Sequence, residues 1–284
     1  MKIFVAGSTG VIGRLLLPKL VKAGHEVIGM THSPERISFI EGLGAKAIVV
    51  NAFDREGVLS GVGEVRPDVI IHQLTSLSQW DLADNARIRI EGTRNLVDAA
   101  HAAGVKRMIA QSIAWAYEAG DHPATESAPL DIQAPMPRKM TIDGIATLEG
   151  AVAEIPHHVI LRYGMLYGPG TWYDFKGSVA EQVVNRKLPA TDGIISFLHV
   201  EDAAHAAMLA LDWPTGPVNI TDDEPVPGTQ WLPVYADLLQ APIPDYQPGS
   251  NRWQRGASNV KARSKYGWVP LYPSWRSGFV RSLR

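Results

Sequence analysis

Residues 1–20 read MKIFVAGSTGVIGRLLLPKL. An apolar run over 2–6 meets glycines at 7, 10 and 13. A helical apolar pattern follows at Val11, Ile12, Leu15, Leu16, Leu20 and Val21. The first glycine permits a tight turn, the second lets the backbone approach a pyrophosphate, and the third lets the helix pack close to the sheet. The helix start then offers unpaired N–H groups and a partial positive charge to phosphate. Strand, glycine turn and helix in that order predict a dinucleotide site. Its cradle is Gly7, Ser8, Thr9, Gly10, Val11, Ile12 and Gly13, with the hydroxyls of Ser8 and Thr9 as added donors.

The alternation continues. Strand patterns at 2–6, 25–30, 46–50, 67–72, 106–111 and 157–163 alternate with helical patterns at 11–23, 34–42, 54–60, 81–103 and 139–154. Such short β-branched strands between helices imply a parallel sheet covered on both faces. Right-handed crossovers make it a Rossmann-type, doubly wound parallel α/β sheet. This domain is expected over 1–165. Beyond it, Pro, Gly, Trp and Tyr become dense, with a helix at 199–211, a strand at 216–221 and a helix at 229–239. Residues 166–284 read as a smaller, irregular substrate-binding region, with the strand near 216–221 returning to the main sheet.

Composition narrows the function. The 284 residues are 45% hydrophobic and 20% charged, ordinary for a globular enzyme. A net charge of −2 argues against nucleic-acid binding. With no cysteine, disulfides, thiolate catalysis and cysteine metal centres are excluded. The histidines form no spaced ligand signature, so no metal is expected. No apolar run reaches the roughly 18 residues of a membrane span, and the start lacks a signal peptide's apolar core. The expectation is a cytoplasmic monomer or homodimer acting on a small molecule, with neither nucleic acid nor membrane as partner.

The end of the second strand bears on the cofactor. NAD sites carry an acid there, and NADP sites a base nearby. The stretch 30–36 is MTHSPER. Thr31, His32, Ser33 and Arg36 can hold a 2′-phosphate, so NADP(H) is expected, with NAD(H) as the second choice.

Further segments resemble the extended short-chain dehydrogenase/reductases of the epimerase/dehydratase type. They are DVIIHQLT (68–75), EGTRNLVDAAHAAGVKRMIAQS (91–112), LRYGMLYGPGT (161–171), FLHVEDAAHA (197–206) and GASNVKARSKYGWVPLYPSW (256–275). The resemblance implies that Asn51, Ala52 and Phe53 lie near the adenine, with Asn51 where the family usually has Asp. His72, Gln73, Leu74 and Thr75 would follow strand four beneath the cofactor. Tyr163, Gly164 and Leu166 would border the nicotinamide. Ser112 matches the family's active-site serine.

One departure decides the chemistry to expect. The family's working pair is Tyr-x-x-x-Lys. Its tyrosine relays a proton, and its lysine lowers that tyrosine's pKa and binds the ribose. None of the eight tyrosines here has lysine four residues on. Anchored on Glu149, the helix RKMTIDGIATLEGAV places Thr141 and Ile145 at the pair's positions. The chain is therefore similar to atypical members, and among them to ketoreductases of aromatic-antibiotic pathways such as the simocyclinone type.

The reading is an NAD(P)H-dependent ketoreductase for a bulky aromatic or polyketide-like ketone. Ser112, Tyr117 and Thr75 are its candidates for meeting the developing alkoxide, with Ser76 beside Thr75. Trp115, Tyr167, Trp172 and His199 are its candidates for touching substrate, and Trp172 with Tyr173 are placed as a lid. For His199 a structural role before a helix capped by Glu201 or Asp202 is the alternative. Arg162 is expected in a structural ion pair. Two other functions compete: a non-catalytic NADP-binding regulator or sensor, and a sugar-nucleotide epimerase/dehydratase. The latter would draw on Arg186, Lys187, Arg252 and Arg255. Oxygenation through a redox-active substrate also stays open.

Overall fold

A computed structural model describes residues 1–76 and 82–282. The chain runs β1 (Lys2–Ala6), α1 (Gly13–Lys22), β2 (Glu26–Thr31), a 3-10 turn (Pro34–Arg36), α2 (Ile37–Gly42), β3 (Lys46–Val49), α3 (Arg55–Val65) and β4 (Val69–His72). It continues through α4 (Leu82–Arg87), a π-helical turn (Ile88–Gly92), α5 (Thr93–Ala102), β5 (Arg107–Ile113), α6 (Arg138–Val152) and β6 (His157–Tyr163). Then come β7 (Met165–Tyr167), α7 (Ser178–Val184), β8 (Ile194–Ile195), β9 (Phe197–His199), α8 (Val200–Leu209) and β10 (Gly216–Ile220). The last elements are β11 (Val226–Pro227), α9 (Gly228–Leu238), α10 (Val260–Tyr266) and α11 (Trp275–Ser282).

The expected Rossmann-type sheet is present. Its seven strands run β10-β6-β5-β4-β1-β2-β3, and the ladders joining β3, β2, β1, β4 and β5 are parallel. The order reverses at β1, where Ala6 pairs with His72 of β4. Ligands of such sheets bind outside the strand ends at this switch point.

The chain divides into two compact units. The first comprises 1–112, 130–161 and 204–217, the second 113–129, 162–203 and 218–284. In the first, alternate strand residues Phe4, Ile28, Ile70 and Met108 pack with Val62 of α3, Leu96 of α5 and Leu148 of α6. On β2, Gly29 lets Ile40 of α2 come close, since a Cβ there would stand 2.9 Å from Ile40 Cγ2. The second unit is held by a cluster of aromatic rings that includes Tyr167, Tyr173, Phe197, Trp231, Tyr235 and Phe279.

Several boundaries differ from the sequence reading. The helix expected at 54–60 runs on to Val65, because Gly61 is buried against Ile48 and Val50 and does not end it. It stops at Arg66, which takes a left-handed conformation (φ 46°). The helix expected at 81–103 begins outside the described residues and is interrupted by the π-helical turn. The short strands β7, β8, β9 and β11 and the helices α7, α10 and α11 were not legible, being too short for a periodic signal.

Candidate active site

The glycine turn is built around close backbone contacts. Gly7 has φ +91°, and a Cβ there would lie 2.6 Å from the carbonyl of Gln73. A Cβ on Gly13 would enter the Gly7 carbonyl oxygen. The fold itself thus requires both glycines. Gly10 differs: its Cβ would meet the chain only at 3.4 Å, at Gly7 O, so the fold itself does not require a glycine there. Ile12 precedes α1 with no side-chain cap. Among the described residues no backbone carbonyl accepts from the Val11 or Ile12 amides. The cradle therefore fits a dinucleotide pyrophosphate. One correction applies: Ser8 is fully buried and its hydroxyl donates to Met30 O at 2.6 Å. It ties the turn to β2 and gives no proton to phosphate. Thr9 is half-buried.

At the end of β2, Thr31 is buried and its Oγ1 accepts from the Ser33 amide at 3.2 Å. His32 and Arg36 are exposed. Glu35 lies beside them, its carboxyl held below the usual range by its own backbone amide and by Ser33, with Arg36 and His32 adding a smaller pull. Asn51 turns its Oδ1 onto the Phe53 amide at 3.0 Å, and Arg87 lies over the Phe53 ring at 4.0 Å. Asn95 holds the turn by donating to Ala52 O.

His72 explains how the loop after β4 is fixed. Its Nδ1 accepts from the Leu74 amide at 3.2 Å, so Nε2 carries the proton and donates to Thr93 Oγ1 at 2.9 Å. Burial lowers its pKa to about 4. Gln73 and Leu74 are thereby set against Gly7, while Thr75 is exposed and Ser76 is anchored through its amide to Asn85. Ser112 at the end of β5 gives its proton to Glu149 of α6 at 2.6 Å, both buried. On α6, Thr141 is 7% and Ile145 0% exposed, a hydroxyl and a hydrocarbon side chain.

The second unit contains a small concavity of about 10 Å³, well below the size of a ligand pocket. The segment after β5 supplies Ala114, Trp115 and Tyr117, and that after β6 supplies Gly164 and Met165. Trp253 faces Trp115 with ring centroids 6.3 Å apart. Gly164 is needed there, since a Cβ would lie 2.7 Å from Ser196 O. Tyr163 is buried and Leu166 pairs with Leu198 of β9.

Tyr117 is braced. Asn219 uses its Nδ2 on the carbonyls of Ala124 and Ser258, which leaves Oδ1 to accept from the Tyr117 hydroxyl. Arg162 donates to the same hydroxyl at 2.9 Å and lies 4.9 Å from the ring centre. Sequence reading missed Asn219 and Trp253. A lone Asn inside the apolar strand GPVNI was the available signal.

Two expected substrate contacts, Tyr167 and His199, are placed in the packed interior instead. Tyr167 is 0% exposed, edge-on to Phe197, His199 and Phe279. His199 is buried and stacks on Tyr272 at 3.7 Å. It is His199 Nδ1, not Glu201 or Asp202, that caps α8, by accepting from the Glu201 amide. Asp202 accepts instead from the Leu271 and Tyr272 amides. Burial, helped by Arg281, holds His199 down at about 4. Tyr173 is no lid: it packs among Phe197, Trp231 and Tyr235, with half-buried Trp172 against the same cluster. Of the four cations a sugar nucleotide would draw on, Arg252 pairs with Asp121 and Arg255 donates to His122 O, while Arg186 and Lys187 are exposed at the end of α7.

Fold and cradle are those of a dinucleotide-dependent enzyme, and the sequence model of the NAD dependent epimerase/dehydratase family matches residues 3–221. The chain belongs to that family, as an oxidoreductase within it. It is 42% identical, over 99% of its length and all of the other's, to a Streptomyces protein named 3-diazoavenalumate denitrifying reductase. Over 38% of the chain and 32% of the other it is 34% identical to a 4-hydroxy-2-methyl-3-oxo-4-farnesyl-3,4-dihydroquinoline-1-oxide ketoreductase of Stigmatella aurantiaca. In fold it is similar to the Bordetella bronchiseptica enzyme WbmG solved with NAD (TM-score 0.79, 21% identity, 99% of this chain and 92% of that one). The UDP-glucose 4-epimerase of Thermotoga maritima is similar too (TM-score 0.78, 21% identity, 99% and 97%). Among the described residues no helix is long and apolar enough to cross a membrane.

Proposed function

We propose that the chain reduces an aromatic acceptor with hydride from NAD(P)H, and that the reacting carbon carries a diazo group that leaves as dinitrogen. One observation carries this reading: the glycine turn fits a pyrophosphate while none of the eight tyrosines has lysine four residues on. A ketone becomes an alkoxide and needs a proton donor. A diazonium carbon does not. The incoming electron pair makes the C–H bond, the C–N pair departs with dinitrogen, and no proton is consumed. The nicotinamide, when bound, supplies the hydride. The chain's own groups bind and orient: the Gly7–Gly13 turn would hold the pyrophosphate, and His72 fixes the loop beside Gly7. Ser112 has its proton already engaged by Glu149, which again favours a reaction without a relay. The full-length likeness to a denitrifying reductase of a diazo compound supports the same choice.

The absence of an acid at the end of β2, with His32 and Arg36 exposed there, supports a preference for NADP(H).

Reduction of a bulky aromatic ketone is the second reading. The contact of Arg162 with the Tyr117 hydroxyl favours it, since a cation beside a phenol eases loss of its proton.

The test mixes the protein with NADPH or NADH and either arenediazonium salts or polycyclic ketones. It follows absorbance at 340 nm and release of dinitrogen. NADPH consumption matched by dinitrogen is expected. Tyr117→Phe should leave that rate within a few-fold, whereas ketone turnover would fall by about 10²–10⁴. Arg36→Ala should weaken NADPH but not NADH. No oxidation of either cofactor across both panels overturns the reductase reading.

A further inference from the structure

The first unit contains a buried cation for which no described residue supplies a counter-group. Arg89 lies in the π-helical turn and is only 6% exposed. Among the described residues no carboxylate, carbonyl or hydroxyl accepts from its guanidinium, and no ring lies under it. Burial alone acts on it, lowering its pKa to about 10. Its neighbours behave differently. Arg55, Arg87 and Arg94 are each about half-exposed or nearly so and each meets a carboxylate: Asp98, Glu91 and Glu154. These exposed arginines are paired, whereas Arg89, largely buried, has no counter-group among the described residues.

Buried charges are retained when something pairs them. Two further observations say where that partner comes from. Arg89 sits on a π-helical turn, a rare irregularity that recurs at functional sites. Its side chain also runs along α6: a Cβ on Gly144 would lie 3.5 Å from Arg89 Cδ. Gly144 immediately precedes Ile145, which the family resemblance sets at the position of its lysine. A planar guanidinium with several donors suits an oxyanion better than a neutral group.

We propose that Arg89 is a ligand-binding residue that takes an oxyanion, either a phosphate of the dinucleotide or the carboxylate of the substrate. The inference rests on the reductase reading only for the identity of these ligands, and its test reads binding, not turnover.

Calorimetric titration of the full chain, wild type, Arg89→Met and Arg89→Lys, uses three probes: NADPH, 4-hydroxycinnamate and its methyl ester, the last two with NADPH present. In Arg89→Met one probe should bind at least tenfold more weakly, with a smaller loss in Arg89→Lys. Weakened NADPH assigns the phosphate. Weakened 4-hydroxycinnamate with unchanged methyl ester assigns the carboxylate. The melting temperature of ligand-free Arg89→Met should not fall below that of wild type, because an unpaired buried charge stabilises nothing. If both Kd values stay within twofold of wild type, the proposal is overturned, whatever the melting temperature does. Should Arg89→Met not fold, Arg89→Lys decides alone: a threefold loss sustains the proposal and an unchanged Kd ends it. A wild-type chain that binds neither NADPH nor 4-hydroxycinnamate removes the reductase reading and this inference together.

Discussion

Three glycines in one turn are held in place by different forces. Gly7 and Gly13 are fixed by the chain's own backbone, because a Cβ at either would enter a carbonyl group. Gly10 is under no comparable restraint from the protein. The two kinds of constraint separate in experiment. Gly13→Ala is expected to lower the melting temperature and abolish NADPH binding together, since the Gly7 turn must open. Gly10→Ala should leave the melting curve almost unchanged and weaken NADPH by tenfold or more. Calorimetric titration and thermal melting on the same samples check both. The spacing of these glycines was legible in the sequence, and so were the buried faces around them. The fate of the Ser8 hydroxyl was not. A serine beside a phosphate turn reads as a phosphate donor until the position of the Met30 carbonyl is known.

At the scale of elements, the C-terminal segment shows the same divide. Its aromatic density was plain, but that density suggested a lid and substrate contacts. In the structure α11 instead closes over a packed interior, with Phe279 4.9 Å from Tyr167 and Trp275 fully buried. The fit is close at Gly278, where a Cβ would run into the Tyr167 hydroxyl. Gly278→Ala should therefore cost about 1–3 kcal/mol through overpacking, read as a lower denaturation midpoint. Tyr167→Phe in the same background should restore only part of it, because a Cβ at Gly278 would still meet the ring carbons Cζ at 2.5 Å and Cε2 at 2.7 Å. The start of α11 is held by Asp222, whose carboxylate accepts from the Trp275 amide at 2.8 Å. Strand and helix periodicity identified the long elements of the first unit. It could not identify two- and three-residue strands whose existence depends on a neighbour.

Across the whole molecule, buried titratable groups set the pH range of stability. His72 and His199 are held at about 4 in the fold against 6.5 outside it. Their contribution is present above 6.5 and is lost as pH falls toward 4, because the unfolded chain then takes up protons the fold refuses. Asp222 works in the opposite sense. Burial raises it to about 8 from 3.8, against the pull of the Glu224 and Trp275 amides. The fold keeps that proton, so this contribution declines as pH rises from 3.8 toward 8. Two histidines outweigh one aspartate below 6.5, and above it only the aspartate acts. Stability should therefore peak near pH 6.5. Urea denaturation between pH 4 and 9 checks this, and Asp222→Asn should remove the alkaline decline while keeping an acceptor for the α11 amide.

The sequence by itself determined the parallel sheet, the glycine turn and the absence of any tyrosine with lysine four residues on. Each of these is written in local spacing: alternation of apolar runs, glycines three apart, and the residue types at two positions one helical turn apart. Only the tertiary structure decided which polar groups remain available. It tied Ser8 to Met30, Ser112 to Glu149 and Tyr117 to Asn219, drew Tyr167 and His199 into an aromatic core, and left Arg89 buried with no partner among the described residues. A hydrogen bond between residues tens of positions apart depends on where the folded chain carries them, and no local pattern records that meeting.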